Sequence, residues 1–114
     1  MKNLNRARVN IMVSNMGQAI SFYVDKLGLK LISRYGDHYA EVDANGFMIG
    51  LHLNNQNTTT GNNISIGLGV FNFEQTIADL EPKGITFKLE NDGYIRLAYF
   101  TDSDGNLLFL AENT

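Results

Sequence analysis

The sequence predicts an α+β domain built from two βαβββ modules in tandem. Three observations carry this reading. The chain echoes itself at about half its length, each half opens with strand-like alternation followed by helical periodicity, and each half ends with the same kind of polar turn before an apolar strand. Shifted by 57 residues, Val9, Ile11 and Val13 fall on Ile66, Leu68 and Val70, and Asn15, Gln18 and Ile20 fall on Asn72, Gln75 and Ile77.

The elements follow in order. Both opening runs alternate apolar with other residues, the period of a half-buried strand, which places first strands over 7–14 and 64–70. Asn followed three residues later by Gln is a capping-box-like helix start, because each side chain can satisfy the other's free backbone donor. Met16, Ala19, Ile20, Tyr23, Val24 and Leu27 then form an apolar stripe at helical spacing, and Gly28 stands where a helix wants a left-handed residue just past its end. This predicts a helix over 16–27. The second helix, over 73–83, is weaker, with Phe73, Ile77 and Leu80 inward and a stop near Pro82 and Gly84. Residues 29–42 and 85–100 each have room for two strands. With the shift now 59, DANGFMIGLHL (Asp43 to Leu53) lies on DSDGNLLFLAE (Asp102 to Glu112), a turn and a closing strand in each case. Module one therefore spans 7–53 and module two 64–112, joined by the polar linker 54–63 within a single domain, 1–114.

The Asp102 turn invites a calcium reading. An EF-hand loop needs oxygen ligands at its positions 1, 3, 5 and 12, glycine at position 6, and flanking helices. Here glycine comes fourth and strands flank the turn, so it reads as a turn only.

Composition narrows the function classes. The 114 residues carry a net charge of −3 and no run of Lys or Arg, which argues against a nucleic-acid partner. Cysteine is absent, which removes disulfides, thiol nucleophiles and thiolate metal sites. No stretch is apolar enough to span a membrane, and MKNLNRARVN lacks the apolar core of a signal peptide, so a cytoplasmic protein with no membrane partner is expected. There is no G-x-S-x-G, no phosphate-binding glycine loop and no paired-histidine helix.

The helix text VSNMGQAISFYVDKLGL and the closing text YFTDSDGNLLFL, set in a duplicated βαβββ unit, resemble the vicinal oxygen chelate superfamily of glyoxalase I, extradiol dioxygenases, fosfomycin resistance enzymes and bleomycin resistance proteins. The segments FY-x-x-x-LG-L (Phe22 to Leu29) and YF-x-D-x-DGN (Tyr99 to Asn106) are the most specific parts, with Ser103 where proline is common. The resemblance implies the glyoxalase/bleomycin resistance fold, in which the sheets curl into an open half-barrel with helices outside. It also implies a divalent metal in the enzymatic members, held by His or Glu on the first and last strands of each module. Carried across, those positions are Arg8, Gly50, Ser65 and Phe109. An always-protonated guanidinium, a bare glycine and a phenyl ring offer no metal donor, and the lone Ser65 hydroxyl does not make a site. The expectation is a metal-free branch similar to the bleomycin-binding proteins, with no cofactor and no assigned catalytic residue.

Strand alternation then sorts the residues of the concave face. Arg8, Asn10 and Met12 come from the first strand, Tyr39 and Glu41 from the third, and Met48, Gly50 and His52 from the fourth. Module two contributes Ser65, Gly67 and Gly69, then Tyr99, then Leu107, Phe109 and Ala111. Val9, Ile11, Val13, Phe47, Ile49, Leu51 and Leu53 face the helix. The glycines are expected to leave room beside a few convergent polar groups, as small-molecule sites do. His38 is expected in a solvated turn. Arg8 either pairs with Glu41 or meets an anionic ligand, and Phe109 either fills core or offers an aromatic platform. Three functions stay open: a metal-free protein sequestering an aromatic or drug-like ligand, a metal-dependent lyase or dioxygenase using unusual ligands such as His52 and Glu41, and an interaction module. A homodimer is expected in each case, because open sheet edges are liabilities for a lone chain.

Overall fold

The computed structural model describes residues 2–54, 64–93 and 95–112. All but Asn54 of the expected linker lies outside the described residues. The chain forms two compact units, Met1–Thr60 and Gly61–Thr114, each with one helix and one four-stranded mixed sheet that does not close.

In the first unit, β1 (Val9–Val13) leads into α1 (Met16–Ile20), which continues as a π-helical segment (Ser21–Lys26). Strands β2 (Lys30–Tyr35), β3 (Tyr39–Ala44) and β4 (Phe47–Leu53) follow, and the sheet order is β1-β4-β3-β2. β1 runs parallel to β4, while β4, β3 and β2 form an antiparallel meander. Ile11, Val13, Ala40, Val42, Ile49 and Leu51 share one face and are buried against Met16, Ala19, Phe22 and Tyr23 of the helix. The expected helical stripe omits Phe22. Its burial follows from the π segment, where Leu27 N–H donates to Phe22 C=O five residues back, widening the turn and shifting the phase of the inward face. Gly28 takes the expected left-handed conformation, φ 77°, and ends the helix. Phe47 was expected inward but is 45% exposed, at the β4 end where the strand emerges from the turn.

The second unit repeats the plan. β5 (Ser65–Val70), α2 (Phe73–Leu80) with a 3-10 turn (Glu81–Lys83), β6 (Lys88–Asn91), β7 (Arg96–Thr101) and β8 (Leu107–Glu112) give the order β5-β8-β7-β6. Its core is Ile66, Phe73, Leu80, Ile85, Ala98, Phe100, Leu108 and Leu110. The rings of Phe87 and Phe100 meet edge to face at 5.3 Å.

The two helix starts differ. Asn15 caps α1, its Oδ1 accepting from Gln18 N–H at 2.9 Å. Asn72 was expected to do the same for α2 but sits at φ 54°, ψ 61° and makes no side-chain cap. A left-handed residue does not present its side chain to the first turn as an extended N-cap does. Thr76 Oγ1 donates instead to Asn72 C=O at 3.0 Å, and Gln75 Nε2 turns away to Asp79 Oδ1 at 2.7 Å.

Candidate functional site

Register brings the predicted open-face residues of module one together. Asn10 lies opposite Gly50 and Gly50 opposite Glu41, while Met12 lies opposite His52 and His52 opposite Tyr39. Met48 stands one rung further on, opposite Asp43. Because β-strand side chains alternate, these groups share the face turned away from α1.

Tyr39 organises the cluster. Its hydroxyl donates to Glu41 Oε2 at 3.0 Å and lies 3.4 Å from Asn10 Oδ1. Burial and the Glu41 carboxylate raise the phenol pKa, so Tyr39 remains a protonated donor through the neutral range. Arg8 approaches from just before β1. Its Nε donates to Asn10 Oδ1 at 3.3 Å, lies 3.9 Å from Glu41 Oε2, and its guanidinium carbon stands 5.5 Å from the Tyr39 ring centroid. His52 presents its ring edge-on to Tyr39 at 6.2 Å, and its Nδ1 lies 3.0 Å from Leu53 C=O. Tyr35 stacks with Tyr39 at 6.3 Å.

A cavity of about 380 Å³ opens beside this cluster, lined by Arg8, Asn10, His38, Tyr39, His52 and Leu53. His38 and Leu53 were not expected in this lining. His38 is exposed in the β2–β3 turn as expected, yet its C=O accepts from Leu53 N–H at 3.0 Å, which draws turn and strand end to the same rim. Leu53 was expected against the helix but sits at the end of β4, only half-buried.

Gly50 and Gly67 do not open space as expected. A side chain at Gly50 would collide with Asn10 Oδ1 and with the Tyr39 ring, whose Cε1 would lie 3.0 Å away. At Gly67 it would collide with the Phe109 ring, with Cε2 at 2.7 Å. Each glycine is the floor on which a neighbour's side chain rests. Of the three glycines expected on the open faces, Gly69 alone has nothing over it.

In module two the equivalent rung is Gly67–Phe109–Tyr99, with Ser65 opposite Leu107 one rung along. The Phe109 and Tyr99 rings are tilted at 5.4 Å, an apolar platform on a half-buried face. A feature with no sequence signal fastens this unit. Arg96 donates to Glu112 Oε2 at 2.7 Å and to Glu74 Oε1 at 2.7 Å, and lies 5.1 Å over the Phe73 ring, so one guanidinium joins β7, β8 and α2. The hydrogen bond from Arg96 holds the Glu112 carboxyl below the usual range.

The Asp102 turn is a turn. Asp102 Oδ1 accepts from Asp104 N–H and Asn106 N–H at 2.8 Å each, and Oδ2 accepts from Asn106 Nδ2 at 2.9 Å. Asp102 is 6% exposed, with its carboxylate turned onto its own loop.

The residues at the four family metal positions do not fit a divalent ion. Arg8 is a cation, Gly50 is covered by Asn10 and Tyr39, Ser65 offers one hydroxyl, and Phe109 sets the end of its ring over Gly67. No group of three or more His, Asp or Glu side chains able to hold a metal occurs among the described residues.

Two tandem βαβββ modules with polar and aromatic groups on open sheet faces define the glyoxalase-type class of α+β folds. The sequence profile of the Glyoxalase/Bleomycin resistance protein/Dioxygenase superfamily matches residues 5–110, and the chain belongs to that superfamily. No curated protein matches the sequence. Among solved structures, a member of the superfamily from Sphaerobacter thermophilus is similar at TM-score 0.81 and 24% identity, covering 99% of this chain and 100% of the other. A glyoxalase family protein from Enterococcus faecalis is similar at TM-score 0.80 and 22% identity, over 98% and 100% of the two chains. An integron cassette protein from the mobile metagenome of the Halifax Harbour sewage outfall is similar at 0.81 and 19%, over 96% and 98%. At these identities the likeness shows the fold. Among the described residues no helix is long and apolar enough to cross a membrane.

Proposed function

We propose that this chain is a small-molecule-binding protein that holds a planar, aromatic or drug-like ligand on the open face of module one and works without a divalent metal. The observation that carries the reading is the make-up of the cleft. About 380 Å³ is bounded by the Tyr39 and His52 rings and by the polar ends of Arg8 and Asn10, within the roughly 300–1,000 Å³ of ordinary ligand sites. Sequestration, the role implied by the likeness to bleomycin-binding proteins, needs affinity and no reacting group. The metal-dependent alternative would draw on His52 and Glu41. Glu41 is committed to the Tyr39 hydroxyl and has the Arg8 cation beside it, which disfavours a second cation at the same oxygen.

The test is metal analysis of purified protein together with a thermal-shift screen across compound classes. The expected result is no stoichiometric Zn²⁺, Ni²⁺, Mn²⁺ or Fe²⁺, and a rise in Tm with aromatic ligands by mass action. One tightly held ion per chain, lost on His52→Ala or Glu41→Ala, would replace this reading with the metal-enzyme one.

A homodimer is part of the proposal. Edge strand β2 exposes Leu31, Ile32 and Tyr35, and its pairing to β3 slips between Leu31 and Ser33. Exposed apolar side chains along a sheet edge favour a symmetric contact with a second copy. A monomer mass by light scattering that does not change with concentration would rule it out.

A further inference from the structure

We propose that the module-one cleft selects small planar aromatic carboxylates, with the Arg8 guanidinium as the fixed cation that receives the carboxylate. The inference rests on the small-molecule reading above and names the ligand's charge and shape. The first support is the charge of the wall. The chain is acidic, with net charge −3, yet among the described residues the cleft lining of Arg8, Asn10, His38, Tyr39, His52 and Leu53 contains a cation, two imidazoles and no carboxylate. Two acids stand near it without lining it: Glu41 is engaged by the Tyr39 hydroxyl, and Asp37, next to His38 in the chain, is paired with Arg34 at 3.0 Å.

The second support is how Arg8 is held. Only its Nε edge is engaged, donating to Asn10 at 3.3 Å and standing 3.9 Å from Glu41, beyond hydrogen-bond reach. Among the described residues neither terminal nitrogen donates a hydrogen bond, and the side chain is 50% exposed. An arginine anchored at Nε keeps its two terminal N–H groups oriented together, the donor pair that fits the two oxygens of a carboxylate. Glu41 offsets part of the charge without occupying that pair.

The third support is shape. Tyr39, ringed by Tyr35 and His52, supplies the aromatic surface next to the cation. A cavity on the order of 150 Å³ accepts benzene, so a cleft of about 380 Å³ has room for one or two fused rings and a carboxylate.

The test is calorimetric titration of the full chain with three matched compounds: 2-naphthoate, the neutral 2-naphthamide, and the cationic 2-naphthylmethylamine. Naphthoate should bind at least about ten-fold more tightly than the amide, the size expected for one charge-assisted contact, and the amine weakest of all. Its affinity should fall as salt is raised. Arg8→Gln should bring naphthoate down to the level of the amide with Tm in the absence of ligand little changed. Lys88→Gln, which removes an exposed cation on module two, should leave binding as it was. Equal affinity for naphthoate and amide would overturn the carboxylate assignment while leaving small-molecule binding intact. Charge preference that survives Arg8→Gln would place the anion elsewhere and overturn it too. Failure of all three compounds to bind at millimolar concentration would overturn both the assignment and the reading it rests on.

Discussion

The central rung of each sheet carries one glycine, but on different strands. In module one the rung is Asn10–Gly50–Glu41, and the large groups Asn10 and Tyr39 fold over the glycine of the last strand. In module two it is Gly67–Phe109–Tyr99, and the last-strand phenylalanine folds over the glycine of the first strand. Large and small have changed places across the same backbone pair, so the space above the rung is filled in both. What differs is the chemistry of the filling. Module one places a hydrogen-bonded cluster with a half-exposed cation there, and module two places two aromatic rings. A duplicated frame thus keeps its packing while one copy carries the polar groups able to recognise a ligand.

The sharpest contrast between the modules lies in their turns, and it should give the largest effect. Asp102 is buried and accepts from Asp104 N–H, Asn106 N–H and Asn106 Nδ2 within its loop, whereas the equivalent Asp43 accepts from Gly46 N–H at 2.7 Å, in a turn where Asn45 and Gly46 already take positive φ. Asp102→Ala removes the acceptor of several part-buried donors and should cost roughly 2–3 kcal/mol. Asp43→Ala should cost about 1 kcal/mol or less. Denaturant unfolding of both variants checks the pair. Equal losses would mean that the carboxylate count does not govern these turns.

The glycine exchange can be broken next. Gly67→Leu pushes into the Phe109 ring and should destabilise by roughly 1–3 kcal/mol, as overpacking does. Adding Phe109→Ala should return much of that loss, because the added side chain then occupies the space the ring vacates. The double-mutant cycle should therefore show clear coupling. Gly50→Leu should be harder to rescue, since it displaces Asn10 and Tyr39 and with them the hydrogen bonds to Arg8 and Glu41. Additive losses at Gly67 and Phe109 would show that the ring and the glycine do not share one space.

How far these features were legible follows from what a sequence pattern encodes. Period-2 alternation assigns faces, so Arg8, Asn10, Tyr39, Glu41, Gly50 and His52 were expected on one side of the sheet, and the register sets Asn10, Gly50, Glu41, His52 and Tyr39 on neighbouring rungs, with Arg8 just before β1. Alternation is silent on which neighbour's side chain covers a small residue. Gly50 and Gly67 therefore read as open when both are roofed. Leu53 and Phe47 keep the parity of Ile49 and Leu51 but are less buried than expected, because parity assigns direction and not cover, and both sit at the ends of β4. Phe22 was missed because a 3.6-residue period does not describe a π segment. The Arg96 junction was invisible because its partners Glu74 and Glu112 are 22 and 16 residues away along the chain.

The smallest effect concerns the two helix starts, which look alike in sequence as Asn15-x-x-Gln18 and Asn72-x-x-Gln75. Asn15→Ala removes the acceptor for Gln18 N–H and should destabilise by about 1 kcal/mol, the usual worth of an N-cap. At Asn72 the side chain accepts nothing from its helix, so losing it removes no cap. What Asn72 contributes is tolerance of a left-handed backbone, which glycine supplies better than any other residue. Asn72→Gly should therefore be near neutral or slightly stabilising, while Asn72→Ala should lose roughly 1 kcal/mol through the strain of a left-handed alanine. At Asn15 the ordering of Gly and Ala is set by capping instead, where glycine costs only a few tenths of a kcal/mol relative to asparagine. Both sites thus favour Gly over Ala, for different reasons, and a third substitution separates them. Serine can cap but gains nothing in the left-handed region, so Asn15→Ser should be nearly silent and Asn72→Ser should resemble Asn72→Ala. If Ser restores stability at both positions, Asn72 caps α2 in solution and the two helix starts are equivalent after all.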